Sequence, residues 1–397
     1  MAQNKEKYFN SVNADKKIKQ KPYFCRSSNL FQSMKKITFI SLIISAFLFF
    51  NCSSSKVPPE ADGSAPVYFT SDISPNGVMK LFEYVKDNVK GENIGIKVHF
   101  GEDGNEYFVP ATMVEPLCKA LNATLLETNC AYKGRRTKTE THIELAKDHG
   151  FTFAPVDILD SGGTLELPVE GGKHFKTVLL GKNLENYSTI VYFTHFKGHG
   201  SAGFGGCIKN ASMGMATPVG KRIMHNKDFP KCKQELCTSC GRCVKDCPAD
   251  AISLEPLEID KNKCIGCGKC ITSCPRNAIV RPDDEEQKLI FLEKLVEYAK
   301  PAIEKVNSVY FNIIMTVSPS CDCAREPKKP FISDIGILAS TDIVAIEAAA
   351  HDLVDKAHQC DDAFLKVNSV SGKHQIDYAE QLGMGTKKYK LIDIDKK

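Results

Sequence analysis

Cys237-Thr-Ser-Cys240-Gly-Arg-Cys243-Val-Lys-Asp-Cys247-Pro248-Ala-Asp-Ala-Ile252 recurs as Cys264-Ile-Gly-Cys267-Gly-Lys-Cys270-Ile-Thr-Ser-Cys274-Pro275-Arg-Asn-Ala-Ile279. A duplicated stretch of this kind implies a pseudo-twofold unit. Three cysteines at intervals of three residues wrap a short loop around one face of an iron–sulfur cubane. Backbone N–H groups of that loop, helped by Gly241, Gly266 and Gly268, can offset the charge of the sulfides. The proline after each fourth cysteine turns the chain away, so each loop takes its fourth ligand from elsewhere. The spacing predicts two [4Fe-4S] clusters, with Ile252 and Ile279 shielding them from water. Zinc in two four-cysteine sites is the alternative, but zinc ligation uses spaced pairs and has no need of a three-cysteine loop followed by Cys-Pro.

Outward from this block, the chain of 397 residues has 42% apolar and 25% charged residues, an ordinary globular composition. Of its 17 cysteines, eight fall in the two tight clusters, a pattern of metal ligation and not of a disulfide framework. The 52 basic and 48 acidic side chains form no dense basic stripe, which argues against a nucleic-acid partner. Within residues 231–283, nine Lys or Arg face seven Asp or Glu. That balance lacks the acidic surface of a diffusing carrier and favours an internal relay.

On both sides of the block strands and helices alternate. Strand-like Val67–Phe69, Ile94–Phe100, Thr124–Glu127, Pro155–Leu159 and Thr189–Phe196 are interleaved with helical Gly77–Val89, Pro110–Leu121 and Lys138–His149. Further strands are expected at Leu165–Val169 and Phe175–Leu180. After the block come a helix over Glu285–Val306, strands over Val309–Val317 and Asp334–Leu338, and a helix over Asp342–Ala357 capped by Asp342. This is an α/β fold, a mostly parallel sheet covered by helices and interrupted by a small α+β two-cluster unit. Residues 67–230 and 283–397 form the two parts of the α/β domain, and residues 231–282 the insert.

At the N-terminus, Met34-Lys35-Lys36, an apolar run from Ile37 to Phe50 and Asn51-Cys52 read as a lipoprotein-type signal peptide over residues 34–51. Cys52 then carries the lipid, residues 52–66 form a tether, and residues 1–33 are an upstream extension ahead of the true start. The run is too short to span a bilayer. The expected location is a membrane-anchored lipoprotein of a bacterial envelope. A cytoplasmic protein is the alternative, because clusters are built in the cytoplasm and no twin-arginine signal for folded export is present.

Two resemblances sharpen these readings. The block is similar to two-cluster bacterial ferredoxins, which implies that each fourth cysteine serves the other cluster. Cluster one then takes Cys237, Cys240, Cys243 and Cys274, and cluster two takes Cys264, Cys267, Cys270 and Cys247. Outside it, Lys97-Val98-His99-Phe100-Gly101-Glu102, His195-Phe196-Lys197-Gly198-His199-Gly200, Gly203 to Asn210, Cys321-Asp322-Cys323 and Asp334 to Asp342 resemble the iron–sulfur branch of the domain of unknown function 362 family. The resemblance runs over residues 67–360 and implies an α/β domain interrupted by two clusters, with no agreed activity. Cys207 departs from the small residue that the pattern implies there.

His99, His195 and His199 follow strand ends, where open α/β sheets place ligand groups. With Lys97, Lys197 and Lys209 they are expected to converge on one crevice beside the glycine-rich loop 198–206, unless they are structural histidines. A helix starting near Gly206 would aim free N–H groups there and favour an anion. Cys321 and Cys323, expected on one side of an extended segment, would hold a third metal with His195 or His199, act as a redox thiol pair, or be inert. Cys118, Cys130 and Cys360 read as core, and Cys232 as an extra thiol near the clusters. The composite expectation is an iron–sulfur oxidoreductase acting on a small-molecule substrate. The alternatives are an electron-transfer or docking module for a partner redox protein, and a structural or metal-storage lipoprotein. No Rossmann fingerprint, P-loop or flavin motif is present.

Overall fold

The computed structural model describes residues 62–225, 230–247, 249–260, 263–264, 269–280 and 285–396. The expected upstream extension, signal peptide, lipid-bearing Cys52, most of the tether, and the cluster ligand Cys267 lie outside them. Among the described residues no helix is long and apolar enough to cross a membrane.

One eight-stranded sheet organises the chain. Its strands are β1 (Ala65–Thr70), β2 (Ile94–Lys97), β3 (Thr124–Glu127), β4 (Val156–Ile158), β5 (Thr189–His195), β6 (Asn307–Ile314), β7 (Gly336–Ser340) and β8 (Tyr389–Asp393). Their spatial order is β8-β1-β7-β6-β5-β2-β3-β4. Strands β4, β3, β2, β5 and β6 pair in parallel, as does β8 with β1. Only β7 runs against its neighbours β6 and β1. No helix intervenes between β6 and β7 to carry the chain back over the sheet, so β7 returns antiparallel.

The central strands are buried on both faces, as a helix-covered parallel sheet requires. Side chains alternate along β5 and β6. Tyr192 and Tyr310 stack at 5.6 Å on one face, while Phe193 and Phe311 meet at 5.9 Å on the other. The Tyr face packs under the helices Glu285–Lys305 and Ile343–His358. The Phe face packs under Pro75–Val85 and Ala111–Leu121. Leu292, Leu295, Val296 and Ala299 are fully buried core, and Asp342 Oδ1 accepts the N–H groups of Val344 and Ala345 as an N-cap.

Three departures from the sequence reading matter for the site. The strands expected near Leu165 and Phe175 pair with each other as a hairpin, Thr164–Pro168 with Thr177–Gly181, and stay out of the main sheet. Strand β2 stops at Lys97, with Val98 N–H still bonded to Leu126 O, so His99 lies beyond the strand before Gly101 turns the chain at φ +87°. The glycine-rich loop is itself a small hairpin, Lys197–His199 with Gly203–Gly205.

In the cysteine block, Lys231–Cys232 pairs with Ile279–Val280, and Ile252–Leu254 pairs with Leu257–Ile259. Short helices span Arg242–Asp246 and Lys269–Ser273, around a small centre that includes Cys243, Leu257, Cys270 and Ile279. The helix Pro218–His225 leads into the block and the helix Glu285–Lys305 follows it.

Candidate functional site

The order of the strands reverses between β2 and β5. From β2 the chain steps outward through β3 and β4, then returns to lay β5 on the other side of β2. A crevice at the carboxyl ends of strands flanking such a reversal is where open α/β sheets bind ligands. Here the four adjacent parallel strands end in Lys97 (β2), Glu127 (β3), His195 (β5) and Ile314 (β6). Lys97, Glu127 and His195 line a cavity of about 130 Å³. His99, His195, His199, Lys97, Lys197, Lys209, Cys321 and Cys323 all line it. The convergence expected from the sequence is therefore present, with Tyr132 and His225 exposed at the rim.

Buried charge on the floor is closely paired. Lys97 Nζ lies 3.4 Å from Glu127 Oε2 and donates to Val98 O and to Asn210 Oδ1 at 3.0 Å. Arg136 Nη1 lies 3.7 Å from Glu127 Oε1, and its Nε and Nη2 bind Glu102 Oε2 at 3.2 and 3.1 Å. Burial alone would raise the Glu127 carboxyl, but Lys97 and Arg136 hold it far below the usual carboxylate range. Burial brings Lys97 down to about 8 despite Glu127, because Arg136 and Lys197 also repel it. The two directions agree on a charged Glu127 shared by two cations.

His99 Nδ1 faces the N–H of Gly101 and Nε2 faces Arg136 Nη1, each at 3.0 Å. Burial and then the Arg136 charge hold its pKa well below the usual value, so the ring is neutral and accepts from one donor at a time. His195 Nδ1 lies 2.7 Å from Asp322 Oδ1 and Nε2 2.8 Å from Met315 O, while Lys197 Nζ lies 3.1 Å from Asp322 Oδ2. Both nitrogens of His195 face oxygen acceptors. His199 Nδ1 accepts the N–H groups of Ser201 and Ala202 at 3.2 and 3.1 Å. For the expected third metal, His195 has both nitrogens engaged with acceptors and His199 Nδ1 already accepts two backbone N–H groups. Elsewhere His351, Asp355 and Asp362 lie close enough to share an ion. Their carboxylates already serve Lys373, Ala363 N–H and Leu365 N–H.

Thr316, at φ +43° just beyond β6, turns the chain towards Cys321. Left-handed backbone at a β-branched residue is strained and is found where surrounding structure enforces it. Here Asp334 Oδ1 holds its N–H at 2.6 Å. Cys321-Asp322-Cys323 forms a turn closed by Ala324 N–H on Cys321 O at 2.9 Å, and not the extended segment expected. Asp322 points to His195 and Lys197 while both sulfurs reach the cavity. Lys209 Nζ sits 3.6 Å from Cys321 Sγ. The neighbouring Cys323 thiol and the charges of Lys209 and Lys197 hold Cys321 well below the ordinary thiol range, whereas Cys321 and burial hold Cys323 well above it.

The helix after Gly206 is Cys207–Ser212 and leaves no free N-terminus for an anion. Buried Glu347 Oε1 accepts Cys207 N–H at 2.6 Å and Asn312 Nδ2 at 3.0 Å. Gly206 allows this approach, because a Cβ there would lie 2.2 Å from that oxygen. Burial pushes Glu347 up to about 7. Cys207 lies behind the cavity wall, with its Sγ near Thr194 and Asn312. Cys118 is core as expected, whereas Cys130 lines the cavity.

In the cysteine block, Cys237, Cys240, Cys243 and Cys274 surround one small cavity together with Ile279. N–H groups of Ser239, Ala278 and Ala251 point at the sulfurs of Cys237, Cys274 and Cys247 at 3.4, 3.2 and 3.4 Å. A thiolate-ligated cluster wants this donor set. Cys247, Cys264 and Cys270 lie within the described residues.

The family model for Domain of unknown function (DUF362) matches residues 94–352, which contain every cavity residue named above. The chain belongs to the DUF362 family. No curated protein matches it. Among solved structures, this DUF362 chain is similar to the lactate racemase apoprotein from Thermoanaerobacterium thermosaccharolyticum, with 17% identity, TM-score 0.34, 64% of this chain and 52% of that one. It is also similar to a structural-genomics protein from Thermotoga maritima, with 12% identity, TM-score 0.37, 73% of this chain and 60% of that one. The DUF362 chain thus spans between half and two thirds of those two structures.

Sequence reasoning missed Glu127, Arg136, Asn210 and Lys221 in this DUF362 cavity. A signal existed for the first. Lys97 and Glu127 are lone charges closing apolar strand runs, and opposite lone charges on strands that turn out adjacent are a buried pair in waiting.

Proposed function

We propose that this chain is an iron–sulfur oxidoreductase. Cys237, Cys240, Cys243 and Cys274 would hold one [4Fe-4S] cluster, and Cys264, Cys267, Cys270 and Cys247 a second. Such clusters, when bound, supply electrons singly. The reaction they serve belongs in the α/β cavity, on a small anionic substrate. The observation that carries this reading is one helix, Pro218–His225. It puts Lys221 and His225 on the cavity and then enters the cysteine block. Five cationic side chains, Lys97, Arg136, Lys197, Lys209 and Lys221, line the cavity against the single carboxylate Glu127. That balance favours an anion. The lipid anchor at Cys52 belongs to the same proposal and would place the reaction at an envelope membrane.

The test is anaerobic. Absorption, EPR and metal analysis should give two cubanes per chain, and dithionite-reduced protein should be reoxidised by anionic acceptors. His199→Ala and Cys321→Ser should slow reoxidation while leaving the cluster spectrum unchanged. If neither variant changes reoxidation, the cavity is not the destination and the chain is a docking or electron-transfer module. Colourless protein holding only zinc would end both readings.

A further inference from the structure

The Cys321-Asp322-Cys323 turn has features that a mere wall of the cavity would not need. Both sulfurs line the cavity, and the intervening carboxylate is pinned away from them by His195 and Lys197. The turn is fastened at its ends, by Ala324 N–H on Cys321 O and by Asn105 Nδ2 on Ala324 O, each at 2.9 Å. The two cysteines are one residue apart on the same turn, and Lys209 approaches Cys321 Sγ at 3.6 Å. Lys209 lies on the cavity wall, so its ammonium faces both the sulfur and any molecule beside it. A thiolate with a cation on one side and a second thiol on the other is the arrangement of an attacking and a resolving cysteine.

We infer that Cys321 and Cys323 form a thiol–disulfide couple that exchanges with small anionic disulfides bound in the cavity. Cys321 Sγ bonds to one substrate sulfur as the substrate S–S bond breaks, and the leaving thiolate is released among Lys209 and Lys197. That thiolate takes the Cys323 proton. The Cys323 sulfur then bonds to Cys321 Sγ, the mixed disulfide breaks, and the second substrate thiolate leaves. The substrate disulfide has gained two electrons and become one thiol and one thiolate, and the protein pair has lost two electrons and one proton. Returning the pair to its thiolate–thiol state takes two electrons and one proton. On the function proposed above, bound clusters would supply those electrons singly. Only that resetting step rests on the cluster reading; the exchange does not.

The test keeps the two apart. The full chain, reduced and freed of reductant under anaerobic conditions, is mixed with dithiobis(nitrobenzoate), which carries two carboxylates, or with uncharged dithiodipyridine. The state of each cysteine is then followed by peptide mass spectrometry. With the anionic reagent, the Cys321–Cys323 disulfide should form roughly tenfold or more faster than Cys118 is labelled, since Cys118 is buried in apolar surroundings that keep its thiol protonated. Cys323→Ser should stop the reaction at a mixed disulfide on Cys321. Lys209→Met should slow the anionic reagent more than the neutral one, while Lys209→Arg, which keeps the charge, retains the rate. Labelling of Cys321 no faster than of Cys118 would overturn the inference. So would a faster reaction with the neutral reagent, or no change in Lys209→Met. None of these readouts requires bound clusters, so loss of cluster signal with exchange intact would sink the redox relay alone.

Discussion

Replacing Asp322 with Asn tests whether the cavity floor is held by charge. The carboxylate is 2% exposed and bridges His195 Nδ1 at 2.7 Å and Lys197 Nζ at 3.1 Å. Burial alone would raise its pKa, but His195 and Lys197 hold it far below the usual carboxylate range, so it is charged throughout the neutral region. Asn keeps the shape, yet it removes the charge and leaves the Lys197 ammonium buried beside a neutral amide. Removing one partner of a buried pair costs about 3–5 kcal/mol, against about 0–1 kcal/mol for an exposed one. In urea unfolding at neutral pH, Asp322→Asn should lose about 3–5 kcal/mol of unfolding free energy, its midpoint falling by that energy divided by an unchanged slope. Adding Lys197→Met should restore much of the loss, because an apolar replacement of both partners leaves no orphan charge. The pH dependence has a definite sign. A carboxyl depressed in the folded state contributes its stability above its unfolded pKa and loses it as pH falls through the folded one. The gap between the two proteins should therefore persist to mild acid and close only under strongly acidic conditions. A loss below about 1 kcal/mol at neutral pH would refute the reasoning, since the pair would then behave as a solvated one.

Glu347 carries the opposite sign. Because burial raises it to about 7, stability should decline by about 3 kcal/mol as pH rises from the ordinary carboxyl range to near neutrality, and Glu347→Gln should flatten that slope in unfolding titrations. Cys240→Ala should halve the iron bound after anaerobic reconstitution, measured by elemental analysis, because on the proposed ligation it removes a ligand of one cluster and none of the other. Cys52→Ser should abolish incorporation of labelled fatty acid and move the protein out of the membrane fraction of a bacterial host.

The alternation of strands and helices was readable because β5 and β6 are long runs such as Thr189-Ile-Val-Tyr-Phe-Thr-His195, whose burial on both faces permits little else. The convergence of His99, His195 and His199 followed from their places at strand ends. Glu127 and Arg136 escaped because strand order, which makes β3 a neighbour of β2, is a long-range property that no local pattern encodes. Glu347 escaped for a related reason. In sequence it is the one polar residue in the apolar first half of its helix, residues 343–350, and only the closeness of Gly206, more than a hundred positions earlier in the chain, shows that it caps Cys207–Ser212. The C-x-C turn was misjudged as extended because its shape is set by Thr316 and by contacts to Asn105, not by the cysteines.

The entry and exit of the cysteine block have a consequence for how such a chain came to be assembled. His225, the last residue of the helix that leads in, stacks on Phe291, in the helix that leads out, at 5.1 Å. The host domain thus closes on itself where the block departs and returns. A graft at such a point needs no rebuilding of the scaffold around it, and a short linker across the same gap should leave the sheet and the cavity standing.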